Sequence, residues 1–417
     1  MKKLAILGPG VVGGSCAEIL LRDAAVLEKN AGEALELAYV VDLRDMPDAP
    51  FHDKMVKDFA VVEADPEVFL VIEAIGGCGA ALNFVRRSLE AGKHVVTSNK
   101  QLVAEHGTQL LALAKAHGVS FLFEASVGGG IPVLHPLSQC LGANEILEVR
   151  GILNGTTNFI LTQMLEFGQS YDAALKDAQA RGYAEQNPAA DVDGIDAGRK
   201  ICILADMMFG KNVDPARVSM TGISTITAED AAILDPMQLT AAAESEPDAE
   251  EYQKRIEQAC SLLSGHYKTL ARELKTEMEH EAEQLHFEQA AVLRDRIAAI
   301  EVLGNNIGNA MFFGPGAGGP ATASAVLADV IDIVRNPGRS QPVSWSAEPA
   351  TLLDPEELEA SFFFRTRLPK ETCEQALGSV RWLPDAGAFH GGFTRKTTRR
   401  ALRASGLALD AVWPVLA

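Results

Sequence analysis

Asp196 and Lys200 stand four residues apart in Asp191-Val-Asp-Gly-Ile-Asp196-Ala-Gly-Arg-Lys200, a spacing that puts both on one face of a helix. Ile195, Ile201, Ile203 and Leu204 recur near helical spacing, so a helix is predicted here. A carboxylate one turn from an ammonium can orient it, and a lysine brought toward neutrality by burial can give and take a proton. On an exposed helix the same pair would add only about 0.2–0.5 kcal/mol. The setting favours chemistry. Gly151-Ile-Leu-Asn-Gly-Thr-Thr-Asn-Phe159 and Gly182-Tyr-Ala-Glu185 add a Gly/Thr turn and a further acid within about fifty residues, downstream of a glycine-rich loop.

That loop, Gly8-Pro9-Gly10-Val11-Val12-Gly13, matches G-x-G-x-x-G between an apolar strand, Leu4–Leu7, and a helix predicted from Ser15 to Leu21. The first glycine permits a tight turn, the second lets backbone approach a pyrophosphate, and the third allows close helix–strand packing. A second strand, Leu37–Val41, ends at Asp42-Leu-Arg44. An acid there binds the ribose hydroxyls of NAD, whereas a nearby arginine accommodates the extra phosphate of NADP; with both present, the choice stays open. A third strand, Phe69–Ile75, runs into Gly76-Gly77, followed by a helix over 81–91. His94-Val-Val-Thr-Ser-Asn-Lys100 reads as a strand ending in a lysine, where open parallel sheets place ligands. Phe121 to Pro132 reads as a strand, a flexible elbow of three glycines and a helix. Three glycines in a row imply a close backbone approach or a hinge, and Glu124 with nearby carbonyls could hold a hard cation.

The chain has 417 residues, 47% hydrophobic and 22% charged, which predicts two or three globular domains. A net charge of −19 argues against nucleic-acid and anionic-membrane partners. No run approaches a membrane span or a signal peptide. Six scattered cysteines without a CxxC pair predict reduced thiols in a cytoplasmic setting.

The order of these segments resembles homoserine dehydrogenase. The likeness is carried by the Gly8–Gly13 loop, Ala91–Lys100, Glu124–Pro132, Gly151–Asn158, Gly182–Glu185, Asp191–Lys200 and Phe313-Gly-Pro-Gly-Ala-Gly318. It covers residues 1 to about 235 and resumes from about 306 to 336. The resemblance implies an NAD(P)-dependent enzyme interconverting L-homoserine and L-aspartate 4-semialdehyde, on the route to threonine, methionine and isoleucine. By the same resemblance Lys200 is the acid/base and Asp196 holds it. Glu185 binds the substrate ammonium, and Lys100 sits near the nicotinamide and the reacting oxygen. Gly8 to Gly13, Arg44, Ile75, Gly76, Gly182 and Gly316 belong to the cofactor site. Sodium falls on Glu124 and the carbonyls of Val127, Gly129 and Ile131. A homo-oligomer is implied too.

The expected fold class is α/β. A Rossmann domain (1–135) precedes an α+β catalytic domain (136–238 and 305–336), which is interrupted by a helical hairpin (239–304). The hairpin's apolar spacing, from Leu274 through Met278, Ala282, Leu285 and Phe287 to Ile297, resembles the UVR motif of excinuclease subunits B and C, which pairs with a protein partner. A short β-α-β-β-α-β tail (357–417) resembles an ACT domain. Replacing part of the catalytic domain gives a second reading: an impaired scaffold, or a gene chimera, whose hairpin binds a protein.

Overall fold

The computed structural model describes residues 1–227, 229–230, 298–336, 345–385 and 387–415. The chain divides into two compact units, one formed by Met1–Gly155, Ile195–Val218 and Glu288–Ala350, the other by Thr156–Gly194, Ser219–Phe287 and Thr351–Ala417.

In the first unit, apolar runs too continuous for a one-sided sheet become parallel strands buried on both faces. They are β1 (Lys2–Leu7), β2 (Leu35–Val41), β3 (Met55–Val56), β4 (Val68–Glu73), β5 (His94–Thr97) and β6 (Phe121–Leu122). Their order is β3-β2-β1-β4-β5-β6, all parallel. The order reverses between β1 and β4, where doubly wound sheets open a crevice at the strand carboxyl ends. One face of the sheet is covered by a helix from far along the chain. Gly319–Arg335 buries Ala323, Val326, Leu327 and Val330 in one core with Leu4, Ile6, Cys16 and Leu20. Sequence groups this helix with the catalytic segment; packing seats it on the nucleotide-type sheet.

Two predicted elements end differently. β4 stops at Glu73, because Gly76 and Gly77 take left-handed angles of 83° and 65° and turn the chain away. β5 stops at Thr97, and Lys100 begins a helix, Lys100–Ala116, instead of closing a strand. Asn99 causes the switch: its side chain accepts a hydrogen bond from Leu102 N at 3.1 Å and caps the helix.

The same unit holds an antiparallel sheet in the order β7-β8-β9, made of β7 (Ile146–Ile152), β8 (Ala298–Gly304) and β9 (Gly308–Gly314). This corrects the boundary of the expected hairpin. Residues 298–304 form the sheet's central strand, with Ile300 and Val302 buried at a period of two. The hairpin expected over the rest of 239–304 lies outside the described residues.

In the second unit the tail follows the predicted β-α-β-β-α-β order except for one added two-residue strand, Thr397–Thr398, before the second helix. Its strands are β10 (Glu359–Thr366), β11 (Val380–Trp382), β12 (His390–Thr394), the short β13 (Thr397–Thr398) and β14 (Ala411–Val415), with helices Lys370–Leu377 and Arg399–Ala404. β11, β12, β10 and β14 lie side by side, each pair antiparallel. Among the described residues, no helix is long and apolar enough to cross a membrane. The five described cysteines are free.

Candidate active site at the sheet's carboxyl ends

The glycine loop does three separate jobs. Gly8, at a φ of 83°, lies so close to the end of β4 that a Cβ would come within 2.9 Å of Ile75 Cα. Gly13 packs on the loop itself, where a Cβ would stand 2.1 Å from the Gly8 carbonyl oxygen. Gly10 faces open space, with nothing within 4 Å of such a Cβ. That is the arrangement needed for a phosphate to reach backbone amides at the start of helix Val11–Arg22. An open cavity of about 1160 Å³ adjoins it, lined by Pro9, Gly10, Val11, residues 45–51 and Gly318. At the end of β2, Arg44 donates through Nε and Nη2 to Asp42 at 3.0 and 2.9 Å. This pairing holds the Asp42 carboxyl below the usual carboxylate range.

Asp196 and Lys200 occupy the buried face of helix Ile195–Phe209. Lys200 Nζ lies 3.0 Å from Asp196 Oδ2 and donates to the Leu153 carbonyl at 2.5 Å. Asn154 Nδ2 donates to the same Asp196 oxygen at 3.0 Å. Lys100 forms an ion pair with the other oxygen, Oδ1. Burial would raise the Asp196 carboxyl, but the charges of Lys200 and Lys100 outweigh it and bring it down to about 2. The result is a carboxylate that is ionised at neutral pH and held between two lysines, one buried and one (Lys100) 42% exposed. Such a group can steer a proton-carrying lysine while a second cation faces the crevice.

A hydrogen-bonded hub seats Lys100. Glu73, fully buried at the end of β4, accepts the amides of Ile75 at 2.8 Å and Gly76 at 3.3 Å, and the Thr97 hydroxyl at 2.5 Å. Thr97 accepts the Asn99 amide at 2.9 Å, and Asn99 Nδ2 donates to the Gly77 carbonyl at 2.6 Å. Burial pushes the Glu73 carboxyl up, against these hydrogen bonds. Sequence reasoning missed Glu73, Thr97 and Asn154. Glu73 carried one available signal, a lone acid at the end of an apolar strand.

The three glycines at 128–130 have a packing reason. Gly129, at a φ of 60°, sits where a Cβ would stand 2.1 Å from the Gly316 carbonyl oxygen, and Gly130 N donates to the Pro315 carbonyl at 3.0 Å. Glu124 is fixed by backbone. Its Oε1 accepts the amides of Val133 at 2.6 Å and Leu134 at 2.9 Å, and its Oε2 that of His135 at 2.7 Å. A carboxylate has about four acceptor positions, so one is left. The carbonyls of Val127, Gly129 and Ile131 accept none of the described backbone hydrogen bonds. Carboxylate and carbonyl oxygens are the ligand type a hard cation takes, although the imidazole and carboxylate ligand atoms grouped within 4.8 Å of the Glu124 carboxylate are those of His135 and Asp329.

Gly182 and Glu185 belong to the second unit. Gly182 turns the chain at a φ of 72°. Tyr183 is buried edge-on against Phe159, ring centres 4.8 Å apart, and Thr156 donates its hydroxyl to the Tyr183 carbonyl at 2.8 Å. Glu185 is exposed. Its backbone carbonyl accepts from Gln179 Nε2 at 3.1 Å, which fixes the turn while its carboxylate makes no described hydrogen bond or ion pair.

Comparison with known proteins agrees with this geometry. A family described as homoserine dehydrogenase matches residues 132–331, and one described as the NAD-binding domain of homoserine dehydrogenase matches residues 8–124. The homoserine dehydrogenase of Pseudomonas aeruginosa is 36% identical over 342 residues, covering 80% of this chain and 72% of that protein. A crystal structure of a homoserine dehydrogenase from Thiobacillus denitrificans superposes with a TM-score of 0.76 at 26% identity, covering 99% of this chain and 97% of the other. A hyperthermophilic archaeal homoserine dehydrogenase solved in complex with NADPH shares the fold at a TM-score of 0.57 and 23% identity, covering 80% and 97%.

Proposed function

The chain belongs to the homoserine dehydrogenase family and is an NAD(P)-dependent oxidoreductase acting on a CH–OH group, and from that premise we propose how its residues divide the work. The observation that carries the proposal is the buried Asp196 carboxylate held between Lys200 and Lys100. When bound, the nicotinamide supplies or accepts the hydride between L-homoserine and L-aspartate 4-semialdehyde. The chain itself must place the substrate and move one proton. Lys200 Nζ holds that proton, Asp196 fixes its direction, and Lys100 lends positive charge where the reacting oxygen gains electrons. Glu185, with its carboxylate exposed, takes the substrate ammonium.

Gly8 to Gly13, with Ile75, Gly76, Gly182 and Gly316, receive the cofactor. Arg44 leans the choice toward NADP, since it can turn from Asp42 to a phosphate. Sodium is assigned to Glu124 and the carbonyls of Val127, Gly129 and Ile131, where it would stiffen the elbow. Half-exposed Ile152 and Met311 on the β7-β8-β9 sheet support pairing with a second copy. The tail is read as ACT-like, the 239–297 segment as a UVR-like module for a protein partner, and the setting as cytoplasmic biosynthesis of threonine, methionine and isoleucine.

The test is NADPH consumption with L-aspartate 4-semialdehyde. Lys200→Ala should lower kcat by about 10²–10⁴-fold, the usual worth of a positioned acid/base, in a protein that still folds although Asp196 has lost one of its two cationic partners. A fully active Lys200→Ala protein would overturn the assignment. The same assay with NADH, and with choline in place of sodium, checks the cofactor and cation readings.

A further inference from the structure

Three unlike donors converge just beyond the Gly76-Gly77 turn. The Cys78 thiol, the Glu105 carboxylate and the His106 imidazole each offer a ligand atom within 4.8 Å of the other two. Cys78 Sγ already stands 3.4 Å from Glu105 Oε2. Cys78 precedes helix Gly79–Glu90, while Glu105 and His106 are consecutive on helix Lys100–Ala116. In a tetrahedral site with bonds of about 2.0–2.3 Å, ligand atoms lie about 3.3–3.8 Å apart, so roughly an ångström of side-chain closure completes the set. One thiol, one imidazole and one carboxylate form a borderline-soft combination that discriminates against calcium and magnesium. Three protein ligands leave a fourth position for water. This donor set is separate from the Glu124 cradle and from the Asp196 cluster.

We propose that Cys78, Glu105 and His106 bind a divalent transition metal of the zinc type, and that occupancy slows the enzyme. The metal–sulfur bond forms as the thiol releases its proton to solvent, with no change of oxidation state. The inhibitory half rests on the catalytic reading given above and follows from two contacts. Glu105 Oε1 accepts from Arg199 Nη2 at 3.2 Å, and Arg199 is the residue next to Lys200. Cys78 follows Gly77, whose carbonyl holds Asn99, the residue that caps the helix starting at Lys100. A metal that draws Glu105 from Arg199 and pins Cys78 therefore removes a contact beside Lys200 and stiffens the turn that caps the Lys100 helix, disturbing both lysines of the site.

The experiment titrates the full-length protein with Co²⁺ and, by calorimetry, with Zn²⁺. One equivalent is expected, with a thiolate-to-cobalt charge-transfer band. Cys78→Ser should lose the band, and His106→Ala should bind at least about tenfold more weakly, the smallest effect seen for loss of even an outer partner. Both variants should keep basal turnover and melt like the parent. Zinc should inhibit the parent, a chelator should restore it, and both variants should resist. A cobalt complex without the thiolate band, or equal inhibition of parent and Cys78→Ser, overturns the proposal. The optical titration reads the site even where no dehydrogenase turnover is seen, so the two readings fail separately.

Discussion

Glu73 has no exposed surface, yet it fixes two things at once. Its carboxylate holds the Ile75 and Gly76 amides, and through Thr97 it aligns the Asn99 cap that starts the Lys100 helix. Glu73→Ala strips acceptors from two amides and one hydroxyl, each costing about 1–3 kcal/mol if left buried and unpaired. The variant should lose stability and show a raised KM for the cofactor. Glu73→Gln retains one acceptor oxygen and should recover part of that KM, which a purely volumetric role would not predict. Steady-state kinetics in both substrates, beside melting curves, decide it; an unchanged cofactor KM in Glu73→Ala would remove the hub from the account.

The same scale shows what a sequence can disclose. Asp196 and Lys200 were legible because i,i+4 spacing is a local rule that survives folding. Asn154 was not, for its partner lies forty-two residues downstream. Lys100 was found for a sound reason, its place beyond a strand's carboxyl end, but assigned to the wrong element, since one capping asparagine outweighed the apolar run before it. Glu73 looked like a strand terminus; its value lies in contacts with residues up to twenty-four positions away.

At the scale of elements, helix Ile195–Phe209 does more than carry the two site residues. One turn before its end it buries Asp206, whose Oδ1 accepts the Val213 amide at 2.6 Å. Burial pushes this carboxyl up from 3.8 to about 7, against that hydrogen bond. A carboxyl raised in the folded state keeps its proton there while the unfolded chain loses it. Its stabilising contribution is therefore full below pH 3.8 and is lost as pH rises to about 7. Asp206→Asn, which keeps the neutral shape, should flatten that decline and be more stable by roughly 1–3 kcal/mol at pH 8. Chemical denaturation of both proteins across this range measures it. Parallel pH profiles would show that Asp206 does not titrate as described. Element types followed the sequence wherever one periodicity ruled, as through the tail. They failed at 298–304, where an alternating strand followed directly on a helical-looking run and the pairing that decides the matter comes from β7 and β9, one of them about 150 residues upstream.

For the molecule as a whole, the chain crosses between its two units several times, so each unit is closed by segments distant in sequence. In the first, Trp345 anchors the described segment that it begins, its Nε1 donating to Thr108 Oγ1 at 2.7 Å beside Gly107. In the second, the equivalent tie is electrostatic. Arg365, on β10 of the tail sheet, is buried with its Nη1 3.3 Å from Asp230 Oδ1, and it also contacts the Thr227 hydroxyl. Asp230 is fully buried and accepts the Thr227 amide at 2.9 Å through its other oxygen. A buried pair adds little net stability over apolar replacements, but removing one partner strands the other, at about 3–5 kcal/mol. Arg365→Met keeps most of the stem and deletes the charge, so it should destabilise the tail and the 219–230 segment together. The double variant Arg365→Met/Asp230→Asn should regain a large part of the loss, because neither charge is then stranded. Hydrogen exchange on the full chain reads both segments at once: joint deprotection in the single variant and its partial reversal in the double are expected. Deprotection confined to residues 359–366 would mean that the tail is a separately folded cap, and that nothing bound to it could reach the catalytic segment through this contact.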